Sequence, residues 1–186
     1  MRCKRAFLVI LCGLSLARCA TRPGGAPGTS LAEGNFSSWF RHDLVPVRRV
    51  LPASLDSVWA ALPEVFAHYG YPGGPSVLAE ERVYLSPPLK VQRRLYTNAR
   101  NSVYLDCGLT PAGVLAADVY VVSFSILARL RPQDSGTMAE IFIGGTARDP
   151  AQKSDPVYCT GTGRLETAFL QRLETQTRLP RARLVN

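Results

Sequence analysis

Two alternating runs joined by a polar turn decide most of what this chain can become. In "DVYVVSFSILARL", Tyr120, Val122, Phe124, Ile126, Ala128 and Leu130 fall on one side, and Ser123, Ser125, Arg129 and Arg131 on the other. In "TMAEIFIGGTA", Ala139, Ile141 and Ile143 face opposite to Met138, Glu140 and Phe142. A period of two belongs to a strand with one buried and one solvated face. Between the runs, "RPQDSGT" supplies the Asp, Ser and Gly of a turn, so the pair reads as an antiparallel hairpin. "PSVLAEERVYL", "LKVQRRLY" and "SVYLDCG" are further strand candidates, short, rich in Val, Leu and Tyr, and bounded by Pro, Gly, Asn or Asp.

The flanks change period. "VPVRRVLPAS" reads as a strand and a turn, followed by "LDSVWAALPEVFAHYGYPGG". There Leu55, Val58, Trp59, Leu62, Val65, Phe66 and Tyr69 recur three and four apart, as one helical face requires. Ser54 is placed to cap this helix, Asp56 to complement its dipole, and Gly70 and Pro72 to end it. Pro63 lacks a backbone N–H, which predicts a kink or a break into two shorter helices. Near the C-terminus, "RLETAFLQRLETQTR" gives a second helix with Leu165, Ala168, Phe169 and Leu173 buried, Glu166 early and Arg178 late. The expected architecture is α+β: a mostly antiparallel sheet of about five to six strands with two helices packed on one face.

This order, with an early "V-W-x-A-L" helix and a closing C-terminal helix, resembles helix-grip domains. Among envelope lipoproteins it resembles the domains of the BamC (NlpB) family of the outer-membrane assembly machine. The likeness runs from Val45 to Arg178 and rests most on "DSVWAALPEVFAHYGYP". It implies a helix gripped by a curved sheet and a supporting role in assembly. That family has two such domains behind a long N-terminal segment, whereas one domain and a short tether are read here.

The leader bears on location. "MRCKRAFLVILCGLSLARCA" has basic Arg2, Lys4 and Arg5, an apolar run from Ala6 to Ala17, and small residues at its end. This is the layout of a secretory signal. The run ends at Arg18, short of the ~20 apolar residues that a membrane-spanning helix needs. "LARC" resembles a lipobox, which makes Cys19 the expected lipidation site, although Arg18 stands where that family has Gly, Ala or Ser. The competing route is cleavage after "SLA" and simple release into the periplasm or medium. The expected organisation is residues 1–19 as signal, 20–43 as a Gly/Pro-rich flexible tether, 44–179 as one domain, and 180–186 as a basic tail. The expected location is the cell envelope, at the outer membrane facing the periplasm.

Cysteine count bears on the same choice. Cys3 and Cys12 leave with the signal; lipidation of Cys19 then leaves Cys107 and Cys159 as a possible disulfide, rather than an odd thiol. Such a bridge would stabilise the domain by about 3–4 kcal/mol in the chain-entropy model. Two buried free thiols are the alternative. The formal charge of +8 includes Arg2, Lys4, Arg5 and Arg18; without them 18 basic residues face 14 acidic ones, a net +4. That balance suits an anionic envelope surface and carries no nucleic-acid motif, so no nucleic-acid partner is expected.

Catalytic motifs are sparse. His42 and His68 have no second ligand at metal spacing, and H-E-x-x-H, G-x-S-x-G and P-loop patterns are missing from the sequence. Asp106 and Asp118 form a paired acid/base site only if the fold unites them. In "CTGTGRLE", Gly161, Gly163 and Arg164 would present N–H groups and a guanidinium to an anion, while the structural alternative is a helix cap at Thr162 or Gly163. Arg48, Arg49, Arg93 and Arg94 would make a basic patch if their strands adjoin. No cofactor or metal is expected. The leading reading is a non-catalytic, lipid-anchored envelope module that binds another envelope protein or supports an assembly. The alternative is a carrier of a small apolar ligand held between sheet and C-terminal helix.

Overall fold

A computed structural model describes residues 44–71, 76–91, 94–95, 98–152 and 155–178. In chain order the elements are β1 (Val47–Leu51), α1 (Leu55–His68), β2 (Ser76–Leu78), β3 (Val83–Leu85), β4 (Leu89–Val91), β5 (Arg94–Leu95) and β6 (Ala99–Arg100). A 3-10 turn (Asn101–Val103) follows, then β7 (Leu105–Asp106), α2 (Ala116–Val119), β8 (Val121–Gln133), β9 (Gly136–Arg148), β10 (Val157–Gly161) and α3 (Arg164–Arg178). The signal, Cys19, the tether, His42, Arg93 and the basic tail lie outside the described residues.

The hairpin is the spine of the molecule. β8 and β9 pair along their whole length, from Val121 opposite Arg148 to Gln133 opposite Gly136. Gly136 has φ +146°, and a Cβ there would stand 2.1 Å from the carbonyl oxygen of Leu51, so only glycine fits where β1 ends against the turn. The outer edge of β8 carries β3 and then β4, and that of β9 carries β1 and then β10. With β2 beyond β3 and β7 beyond β10, the path β2-β3-β8-β9-β10-β7 is antiparallel throughout. The α+β reading holds: six strands lie on the path, and β1 and β4 pair beside it. β5 and β6 form a separate ribbon.

The inner face is the one the alternation indicated. Val122, Phe124, Ile126, Ala128, Leu130, Ala139, Ile141 and Ile143 are all at most 2% exposed. Both long helices cover this face and pack on each other. α1 starts at Ser54, whose hydroxyl accepts from the Ser57 N–H, and carries Asp56 in its first turn. It runs unbroken through Pro63, so the predicted division into two helices does not occur. The proline lies on the exposed side, where its ring meets solvent while the opposite side holds the helix to the core.

Phe66 is the centre of the contact, with ring centroids 4.8 Å from Tyr84 and 5.0 Å from Phe169. Tyr69 stacks on Phe169 at 5.3 Å. Full burial of side chains of this size stabilises by about 1.5–3 kcal/mol each. Leu165, Phe169, Leu170 and Leu173 form the buried stripe of α3, with Ala168 only half-buried. Polar ties complete the joint: Gln176 donates to Glu64 across the helices, and Arg49 pairs with Glu174 at 3.0 Å.

The outer face is less solvated than the alternation implies. Glu140 is 5% exposed, with Arg48 at 2.8 Å, Arg131 at 3.5 Å and Arg129 at 3.8 Å around its carboxylate. A carboxylate at this depth is tolerable because guanidinium groups replace the water it loses.

Candidate functional site

Between β7 and β8 the chain makes a short excursion that is tied down at every stage. Asp106 accepts from the Gly108 N–H at 2.9 Å as the chain leaves β7. Cys107 is joined to Cys159 of β10, a bridge spanning 52 residues. Leu109 then pairs with Leu115 in an isolated bridge, and the turn between them closes on Thr110. The Thr110 N–H donates to Val114 O at 2.8 Å, and the Val114 N–H donates back to Thr110 Oγ1 at 3.2 Å. The Ala116 N–H returns to Gly108 O at 3.0 Å, and Ala116 and Ala117 are each 1% exposed. Asp118 finishes the clamp by accepting from both the N–H and the hydroxyl of Ser102, at 2.9 and 2.8 Å.

This framework holds aliphatic side chains in water. Leu109 is 65% exposed, Val114 and Leu115 46% each, and Val119 42%. Single exposed aliphatics are ordinary, but here four lie on one constrained loop of a dozen residues. Beside them opens a cleft of about 360 Å3, with Pro111, Val114, Val119 and Tyr120 as apolar walls and Thr110 and Asp149 among its polar groups. That volume is at the small end for a drug-sized ligand and large enough for one bulky side chain of a partner.

The sequence did not single out this loop. "LTPAGVL" has no helical or strand period, and its only signal is Pro and Gly between aliphatic pairs, the mark of a tight hairpin. The loop is tied to Cys159, 52 residues onward, and to Ser102, 16 residues before Asp118.

The other candidates are dispersed. Cys107 and Cys159 form the disulfide, and the free-thiol alternative falls away. Asp106 and Asp118 each serve a local backbone group, the first at Gly108 and the second at Ser102, and do not act as a pair. His68 ends α1 with its ring edge-on to Tyr69 at 5.1 Å. Arg48 and Arg49 point to opposite faces of β1, one to Glu140 and the other to Glu174, because successive strand residues alternate. Arg94 donates to Asn98 O within its own ribbon, so the described members of the basic patch do not adjoin. Among the described residues no three His, Cys, Asp or Glu side chains gather as a metal site would need, and no helix is long and apolar enough to cross a membrane.

The anion site expected at Gly161, Gly163 and Arg164 lies at the start of α3, beside a buried acid of the chain itself. The carboxyl group of Glu166 packs against Gly161, where an added Cβ would stand 1.6 Å from its Oε1. Neither hydroxyl of the neighbouring threonines is the cap: Thr162 donates to Val103 O at 2.8 Å and Thr167 to Gly163 O at 2.6 Å. Glu166 is 2% exposed, and burial pushes its carboxyl above the ordinary range, with the backbone N–H groups of Glu166 and Gly163 drawing it partly back. The space between sheet and α3, reserved in the alternative reading for an apolar ligand, holds Phe66, Phe124, Phe169, Leu170 and Leu173, each fully buried. The chain matches no protein-family model, no curated protein and no solved structure.

Proposed function

We propose that this is a non-catalytic, lipid-anchored envelope protein whose domain binds another envelope protein through residues 107–120. The observation that carries the reading is the rigid presentation of Leu109, Val114, Leu115 and Val119 to solvent. Ordering a loop costs conformational entropy on binding; here hydrogen bonds and the disulfide have ordered it in advance. The partner surface is apolar, with one bulky side chain for the cleft beside Val119. The disulfide is in keeping with an oxidising compartment, as the secretory leader is. Cys19 is the proposed point of lipid attachment.

Photo-crosslinking in intact cells tests the binding surface. A photoreactive residue at Val114 gives a discrete adduct, and one at Gln133, at the other end of the hairpin, does not. Equal labelling from both positions, or none from Val114, counts against the loop as the contact. Incorporation of a labelled fatty acid, lost in Cys19→Ala, tests the anchor separately.

A further inference from the structure

The arginines around Glu140 carry more charge than the acid they surround. Arg48 on β1 and Arg129 on β8 lie opposite Glu140 from its two sides, and Arg131 follows two residues on, on the same face of β8. Arg48, Arg131 and Arg129 bring guanidinium nitrogens to 2.8, 3.5 and 3.8 Å from the carboxylate. Only Arg48 hydrogen-bonds it, and the buried Oε2 accepts no hydrogen bond. Among the described residues no other carboxylate pairs with any of the three. Three guanidinium groups against one carboxylate leave two positive charges over on one small area of sheet. Repulsion among them costs stability, where a single arginine would have satisfied the acid.

The donors are unspent as well as the charge. Arg48 and Arg131 each turn Nε toward Glu140, and both side chains remain 61% exposed. Their terminal amino groups have no acceptor among the described residues. Arg129 is 33% exposed and lies over the Phe142 ring, 5.5 Å from its centroid, which steadies the guanidinium from the sheet side.

We propose that Arg48, Arg129 and Arg131 form a binding site for a phosphate group, seated on the solvent side of the cluster with Glu140 beneath it. A phosphomonoester carries about −1.5 to −2 charges at pH 7, which matches the surplus where a single carboxylate falls short. All three cations are arginines, whose planar forks offer paired N–H donors to two phosphate oxygens at once. Their backbones belong to paired strands, so little order has to be gained on binding. Glu140 is a positioning residue: it anchors Arg48 and draws the other two together. Positions 48, 129, 131 and 140 are united by strand register alone, so Arg48 finds its basic company on β8 and not at Arg93 and Arg94.

The phosphate belongs to a lipid headgroup or to a soluble molecule, and the test has an arm for each. The full chain with Cys19→Ala, which carries no acyl group, is titrated with inorganic phosphate in a calorimeter. It is also sedimented with phosphatidylcholine vesicles, with and without phosphatidic acid. Saturable binding of inorganic phosphate with no preference among vesicles assigns a soluble phosphate; enrichment on the vesicles with phosphatidic acid assigns a headgroup. Arg131→Gln, which takes no hydrogen bond from Glu140, weakens the binding seen by about tenfold. Arg131→Lys keeps the charge, loses the fork and falls between. Arg164→Gln removes an equal charge at the start of α3 and leaves binding unchanged. Absence of binding in both arms overturns the proposal. So does an unchanged affinity in Arg131→Gln, or an equal loss in Arg164→Gln, which would reduce the effect to net charge.

Discussion

The carboxyl group of Glu166 is buried at the start of α3, where desolvation favours its neutral form. The folded chain therefore holds this proton more tightly than the unfolded chain, whose carboxyl keeps the ordinary value of 4.5. Its contribution to stability is fully present below that value and is lost as pH rises through the higher folded value. In urea unfolding at stepped pH between 4 and 7, Glu166→Gln lacks this fall while the parent protein shows it; parallel profiles would refute the assignment. Gly161 is the reason the carboxylate fits at all. A Cβ there would stand 1.6 Å from Glu166 Oε1, so Gly161→Ala expels the carboxylate from the helix start and costs about 1–3 kcal/mol. In a Glu166→Ala background the same substitution costs measurably less, because the two side chains compete for one space. None of this is visible along the sequence. An acid in the first turn of a helix reads as an exposed dipole partner, whereas Glu166 is buried, with its carboxyl group against Gly161 at the end of β10.

Elements that state their own geometry were legible, and those set by distant ties were not. The β8–β9 hairpin could be read because alternation persists over thirteen residues on each strand, with a turn between them. α1 could be read from its apolar spacing and Ser54, and Pro63 misled because a proline on the exposed side of a packed helix removes one hydrogen bond without ending it. The loop after β7 was illegible, since its form is imposed by Cys159, roughly fifty residues onward, and by the hydrogen bonds of Asp118 to Ser102. The double substitution Cys107→Ser with Cys159→Ser should therefore act on two observables. Global stability falls by about 3–4 kcal/mol in chemical denaturation. Amide exchange at Gly108 to Leu115 also rises by more than the global loss accounts for. A uniform rise would mean that the hydrogen bonds alone fix the loop.

The whole domain divides labour between a filled interior and one deliberately apolar stretch of surface. Leu109 and Leu115 contribute little to the first, being 65% and 46% exposed. Replacing both with serine should shift stability by no more than about 0.5 kcal/mol, the usual range for surface sites, while abolishing the crosslink from Val114. A comparable loss of stability would place the leucines in a structural role instead. Short flanking strands serve the same economy: each edge of the long hairpin is shared by two strands of three to five residues, leaving no long free edge there for another sheet to join. The disulfide adds a topological consequence. Cys107 to Cys159 makes a covalent ring that encloses α2, β8 and β9 and leaves β1 to β7 and α3 outside it. After residue 19 the chain has just two lysines, Lys90 outside the ring and Lys153 inside it. A lysine-specific protease acting on both therefore produces, under denaturing non-reducing conditions, a released N-terminal piece and two later pieces that still migrate as one. Reduction parts them. A break in the ring severs the backbone and leaves the loop that follows β7 fastened to α3.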